Sequence, residues 1–305
     1  MEDNFHQVTN YTVTSEYEGV RLDNCLIAKL KGLPRTKIYS IIRKGEVRVN
    51  KSRSKPSMKL KKGDLIRIPP HRTSSISKVF TSKNIKERVS NSIIASERDF
   101  LILNKPVGIA CHGGSGISSG VIEALREIDR RYKDAQLAHR IDRDTSGCLV
   151  IALRKSFLRK LHQEIRNKQV DKIYDLVVFG NWPKELTSIN KPLLKSKGKS
   201  GEREAIIDKN GKESSTEFTL KETNKSYSLL KAKIITGRMH QIRVHVTSEG
   251  YPIVGDIKYG DESLNEKARE KGLNRMLLHA NSISFKNLGI KCSTDTPNLF
   301  KEIMS

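Results

Sequence analysis

No stretch of this 305-residue chain is long and apolar. The longest unbroken run, Cys148 to Leu153, has six residues, against the roughly 20 that a membrane-spanning helix needs. That excludes a helical membrane protein. Aromatic residues are few, at 6% with one Trp, while the 36% of apolar residues suffices for ordinary cores. Cysteine is sparse as well. Cys25, Cys111, Cys148 and Cys292 form no CxxC pair, so a zinc ribbon or a redox motif has no support. Isolated cysteines in a chain this long suit reduced, buried thiols. The first ten residues, MEDNFHQVTN, contain no Lys or Arg. No apolar segment follows them, so no secretory signal is expected and the protein is expected in the cytoplasm. Acidic residues are also in short supply, with 34 Asp and Glu against 57 Lys and Arg, a net charge of +23. Such an imbalance speaks to partners rather than to fold. Nucleic acid is the first candidate, an anionic membrane surface the second, and a basic surface without a specific partner the bland alternative.

The length allows about two domains, and the charge divides the chain accordingly. Residues 1–90 hold 20 Lys or Arg and 8 Asp or Glu, whereas residues 91–305 hold 37 and 26. A dense cationic module therefore precedes a larger, milder domain. Residues 1–18 read as an acidic-aromatic lead-in and residues 19–70 as the module. Residues 71–91, rich in Ser, Lys and Thr without a sustained period, read as a linker. Residues 92–305 form the second domain.

Within the module, Val20, Leu22, Leu26 and Leu30 fall at helical intervals. Gly32, Leu33 and Pro34 break that helix, and Thr36 is placed to cap a second one carrying Ile38, Ile41 and Ile42, with Gly45 as its stop. EVRVN alternates as a short strand, and MKLKKGDLIRIPP reads as strand, turn and strand. Arg35, Lys37, Arg43 and Lys44 crowd the second helix. Singly, each reads as a solvated cation; together they suit phosphate contact.

The second domain carries the denser patterns. SIIASERDFLILNKPVGIA reads as two strands around a polar turn, ending at Lys105-Pro106. CHGGSGISSG is a Gly/Ser loop before the helix VIEALREIDRRY; it lacks the GxxxxGK[ST] spacing of a nucleotide-hydrolysing P-loop. LAHRIDRDTSGCLVIAL sets a charged turn directly against an apolar strand. Arg140 and Arg143 flank Asp142, with Asp144 two residues on. A salt-bridged turn and a carboxylate held ionised as a nucleophile fit this composition equally well. A long helix, RKSFLRKLHQEIRNKQ, leads to the strand VDKIYDLVVFG, in which Tyr174 is a core or girdle candidate. Residues 183–234 read as strands and hairpins with an Asn210-Gly211 turn. In IITGRMHQIRVHV, His240 and His245 are five apart, which suits neither one helix face nor one strand face. No carboxylate lies between them as in HExxH, so a metal site is not expected. Arg238 and Arg243 better suit anion contact or an ion pair with a carboxylate elsewhere.

Two resemblances follow from these residues. Arg21-Leu22-Asp23, Pro34-Arg35-Thr36, Gly45, VRVNK and Lys62-Gly63-Asp64 resemble the small RNA-binding domain named after ribosomal small-subunit protein four. HRIDRDTSG, LNKPVGIACHGG, VDKIYDLVVFG and TGRMHQIRVH, in this order, resemble the pseudouridine synthases that modify ribosomal large-subunit RNA and some transfer RNA. The departures are Ile141 for Leu and Met239 for Thr or Ser. The resemblance implies an α+β fold, its catalytic domain built around a mostly antiparallel sheet with a central cleft. It implies catalytic roles for Asp142, Tyr174 and Arg243, with Arg243 paired to Asp142 and Tyr174 able to stack on the base and help remove the C5 proton. It adds His139, Arg140, Lys105 and Arg238 as substrate contacts, His139 and Arg140 either entering the RNA or supporting the turn. It implies no cofactor and no metal, 23S ribosomal RNA as the partner, no membrane, and a monomer. Transfer RNA as the substrate, and a non-catalytic ribosome-assembly protein, are the alternatives.

Overall fold

The structure is a computed structural model. It describes residues 7–30, 32–71, 80–114, 117, 119–198 and 201–305. Part of the predicted linker, residues 72–79, and part of the Gly/Ser loop, residues 115, 116 and 118, lie outside the described residues. The chain divides into two compact units, 1–78 and 79–305.

In the first unit, α1 (Leu22–Lys29) and α2 (Arg35–Arg43) pack on a four-stranded antiparallel sheet of β1 (Thr9–Thr12), β2 (Arg48–Val49), β3 (Ser52–Arg53) and β4 (Leu65–Ile68), in the order β1-β4-β2-β3. Leu22, Cys25, Leu26, Ile38, Ile41, Ile42 and Ile66 fill the core. Asp23 is buried but holds its charge through Arg21 Nε and Nη2 and the Tyr39 hydroxyl, at 3.1, 2.6 and 3.0 Å. Three expectations are corrected. The lead-in is not separate, because Thr9–Thr12 pairs with β4. Met58–Leu60 makes no strand, only a bridge from Lys59 to Arg21. Thr36 lies inside α2, which starts after Pro34 without a side-chain cap.

The second unit begins with α3 (Lys83–Ser90), so the linker does not run to residue 91. Ser82 caps this helix, and Val89 and Ile85 pack into the main core. There follow β5 (Ile93–Ser96), β6 (Phe100–Lys105), α4 (Val121–Ile128), β7 (Gln136–Leu137), β8 (Ser146–Ala152), α5 (Lys155–Arg166), β9 (Val170–Phe179) and β10 (Ser188–Ile189). A hairpin of β11 (Leu193–Lys197) and β12 (Arg203–Ile207) precedes β13 (Thr216–Thr223), β14 (Tyr227–Ile234) and α6 (Gln241–Ser248). The chain closes with α7 (Glu262–Glu270), β15 (Leu278–Phe285), β16 (Ile290–Ser293) and α8 (Asn298–Glu302).

Ten strands form one sheet in the order β10-β13-β14-β9-β15-β8-β6-β5, with β16 on β15 and β7 on β8. Every pairing is antiparallel except β8 with β15. The Cys148–Leu153 run is non-alternating because β8 is buried on both faces, as central strands are. Leu149 and Ile151 face a core shared with α4 and α6, while Cys148, Val150 and Ala152 face one shared with α5. Gly147, at φ 111, lies so close to β15 that a Cβ there would stand 2.3 Å from the Ala280 carbonyl oxygen. That close approach needs glycine, and it fixes where the turn before β8 must end.

Candidate active site

Asp142 sits on that turn, between β7 and β8. The carbonyls on either side of it are both held by the end of β6 and the segment that follows it. The Cys111 thiol donates to the Ile141 oxygen at 3.2 Å, and Lys105 Nζ and the Gly108 N–H donate to the Arg143 oxygen at 3.0 and 2.9 Å. The Asp142 backbone is thus fixed from below while its side chain stays 23% exposed.

Arg243 reaches it from the first turn of α6. Ile242 and Val246 of this helix enter the core, which turns Arg243 toward Asp142. Its Nη1 donates to Asp142 Oδ2 at 2.9 Å. Its Nε and Nη2 donate to the two oxygens of buried Asp256, at 2.7 and 2.8 Å. The fork-to-fork geometry is the one in which a guanidinium is held most firmly. Asp256 Oδ1 also accepts the Lys258 and Tyr259 N–H groups at 2.9 and 3.1 Å. Burial opposes ionisation of Asp256, but the Arg243 bonds and charge outweigh it and hold the carboxyl below its ordinary range. Burial likewise opposes the Arg243 charge, and the two aspartates outweigh it. The guanidinium lies over the Tyr259 ring at 4.9 Å.

Tyr174, on β9, is buried. Burial, with the Asp142 charge adding to it, pushes its hydroxyl above the ordinary value, so the phenol stays protonated at neutral pH. The site therefore joins one cation, two carboxylates and a neutral phenol. Asp142 Oδ2 is engaged with Arg243, and Oδ1 is the oxygen left to face a substrate.

The other expected contacts divide. Arg140 is exposed beside Asp142. Arg143 and Asp144 pair with each other at 3.1 Å on the surface side of the turn. Arg238 is exposed, with its Nε on the Glu213 carbonyl oxygen at 2.9 Å. Arg35, Lys37 and Arg43 on α2 and Lys44 just after it are all exposed. Lys105 is not a substrate contact: it is fully buried, and its ammonium donates to the carbonyls of Pro106, Ile109 and Arg143 at 2.8, 2.7 and 3.0 Å. Burial pushes it down to about 8. His139 meets β8 rather than the Asp142 turn. Its Nε2 accepts the Val150 N–H at 3.1 Å, bracing β8, and burial pushes the ring down to about 3. Met239 packs against Leu193, Ala205 and Val244. His240 and His245 part company. His245 is buried among Ser214, Thr216 and the Lys191 carbonyl, whereas His240 Nε2 stands 3.8 Å from Asp142 Oδ1.

Asp256 and Tyr259 were not legible as site residues. Their only sequence signal is the turn GDIKYG. Gly255 at φ 76 lies so near the Arg275 carbonyl that a Cβ would stand 2.1 Å from its oxygen.

The family described as RNA pseudouridylate synthase matches residues 99–248, and the S4 domain matches residues 20–66. Ribosomal large subunit pseudouridine synthase C of Haemophilus influenzae is 47% identical over 278 residues, covering 90% of this chain and 86% of that one. Its namesake in Escherichia coli is 43% identical over 281 residues, covering 91% and 88%. Among solved structures, human RNA pseudouridylate synthase domain containing 1 aligns with a TM-score of 0.57 at 27% identity, covering 68% of this chain and 83% of that one. Domain containing 4 aligns at 0.59 and 21%, covering 72% and 93%, a likeness of fold.

Proposed function

The chain belongs to the RNA pseudouridylate synthase family, with an S4 domain before the synthase domain, and on that premise we propose that it converts uridines of 23S ribosomal RNA to pseudouridine, with Asp142 as the reacting carboxylate. The observation that carries the reading is the Asp142–Arg243 pair: a carboxylate with one oxygen held at 2.9 Å in a side chain that stays 23% exposed.

The reaction is an isomerisation. The bond from uracil N1 to ribose C1′ breaks, the base turns, and C5 bonds to C1′. C5 loses a proton and N1 gains one, so no atom enters or leaves. An Asp, with an ordinary pKa near 3.9, is ionised at neutral pH. Oδ1 can attack the sugar or stabilise positive charge on it. Arg243 supplies fixed orientation, and Asp256 shares the guanidinium charge so that Asp142 is held without being fully neutralised. Tyr174, buried and protonated, suits a stacking platform for the base. Its raised hydroxyl disfavours a free phenolate as the base for the C5 proton. No cofactor is needed for these steps.

A uridine in folded RNA must leave its stack to reach the cleft, at about a few kcal/mol. The exposed cations of the first unit and Arg140 and Arg238 of the second offset this by binding phosphate. The reading carries with it a cytoplasmic enzyme that acts as a monomer. The supporting experiment maps pseudouridines in 23S ribosomal RNA and in transfer RNA from cells with and without this protein. Sites lost from 23S RNA support the proposal. Sites lost only from transfer RNA move the substrate, and no lost site in either favours a non-catalytic RNA-binding role.

A further inference from the structure

Two polar groups at the site have no part in the chemistry above: the His240 imidazole and the Tyr259 hydroxyl. His240 immediately precedes α6 in the left-handed region, at φ 52 and ψ 25. A side chain there is costly, and non-glycine residues held so tend to occur where function needs the geometry. The result turns its ring toward Asp142. Nε2 stands 3.8 Å from Oδ1, the oxygen that Arg243 does not hold.

Tyr259 is placed to set which nitrogen carries the proton. Its hydroxyl oxygen accepts the Ala205 N–H of β12 at 2.9 Å and stands 2.7 Å from His240 Nδ1. A backbone N–H can only donate, so the phenol is an acceptor there and its single proton is free to go to Nδ1. Nδ1 is then the acceptor of the ring. Burial lowers the basicity of His240 and so favours the neutral ring; with the phenol donating to Nδ1, the single ring proton is on Nε2, facing Asp142. The phenol is itself fixed, since the Tyr259 N–H bonds Asp256 and its ring lies under Arg243.

We propose that His240 is a positioning residue for Asp142, with its Nε2–H kept toward Oδ1 by the Tyr259 hydroxyl. The inference rests on the reading of Asp142 as the reacting carboxylate. One bond from Arg243 fixes Oδ2 but leaves the carboxylate free to rotate about that contact. A second N–H, 3.8 Å from Oδ1 and so outside hydrogen-bond distance, favours one orientation of the carboxylate through its dipole, and orientation of this kind bears on the rate of the bound complex.

The test uses the full chain and a fragment of 23S ribosomal RNA, with wild type alongside His240→Phe, His240→Gln and Tyr259→Phe. Phe keeps the bulk of the ring without its N–H. Gln restores an N–H near the Nε2 position. The expected result is a kcat lower by roughly 10- to 100-fold in His240→Phe at nearly unchanged KM, most of it recovered in His240→Gln. Tyr259→Phe, which keeps the ring under Arg243, should show a smaller loss of kcat. The role is overturned by wild-type kcat in His240→Phe, by equal losses in the Phe and Gln variants with unchanged melting temperatures, or by a loss confined to KM. If His240→Phe does not fold, wild-type kcat in Tyr259→Phe overturns it. Wild type without turnover would instead contradict the underlying reading of the site.

Discussion

Arg243 donates from Nη1 to Asp142 Oδ2 at 2.9 Å across 101 residues of sequence, and so ties the turn before β8 to the start of α6. The same guanidinium gives its other edge to Asp256. The three side chains form one buried-to-exposed series, with Asp256 at the closed end and Asp142 at the open one.

Arg243→Lys keeps the charge but loses the fork, because an ammonium cannot meet Asp256 in two parallel bonds and Asp142 in a third. A kcat loss of roughly 100-fold is expected, with RNA affinity little changed. Asp256→Asn should also cost stability, about 3 to 5 kcal/mol, since it leaves a buried cation short of its counter-charge. Denaturant titration of the two variants beside the kinetics checks both. Equal stability of Asp256→Asn and wild type would contradict the clamp.

Lys105 carries a pH signature. Its folded value, about 8, lies below the ordinary 10.5 because the ammonium is buried. Between these values the unfolded chain holds a proton that the folded chain has begun to release, so stability rises with pH across that window. Below about 8 the burial penalty is present in full, of order 3 kcal/mol. Lys105→Met removes this dependence, and it also strips the Pro106 and Ile109 carbonyls of their Lys105 hydrogen bonds, so the variant should be less stable overall at neutral pH. Unfolding curves of both proteins at pH 7, 8, 9 and 10 give the comparison. A wild-type-minus-variant difference that stays flat, or falls with pH, contradicts the assignment.

The exposed cations of α2 should act on binding rather than on chemistry. Replacing Arg35, Lys37, Arg43 and Lys44 together by Ala should weaken RNA affinity and flatten its salt dependence, by roughly 0.7 in log–log slope for each single-strand phosphate no longer neutralised. Turnover at saturating RNA should persist. An unchanged slope would remove these residues from the interface.

Much of this arrangement was legible in the sequence, and the remainder failed for physical reasons. The Cys148–Leu153 run read as an apolar strand, and the pairing of Asp142 with Arg243 was implied by the family resemblance rather than by any spacing. Lys105 misled because a cation at a strand end ordinarily meets solvent or phosphate. Only the folded chain reveals three carbonyls converging on its ammonium. Asp256 was silent because its partner is in another segment and no spacing rule links them. The helix Lys83–Ser90 was readable after all: Ile85 and Val89 are four apart behind the Ser82 cap, but six polar neighbours disguised them. Thr9–Thr12 gave no alternation, and its strand exists only through pairing with β4.

The most direct test of the central claim compares Asp142→Asn with Asp144→Asn in single-turnover conversion of a 23S RNA fragment, with RNA binding measured in parallel. Asp142→Asn keeps the shape and a hydrogen bond from Arg243 but removes the charge that reacts. Among the described residues, Asp144 pairs with Arg143 at the surface of the turn. The account predicts no detectable pseudouridine from Asp142→Asn despite retained binding, and near-normal conversion by Asp144→Asn. Near-normal conversion by Asp142→Asn, or loss of conversion in Asp144→Asn alone, would contradict it.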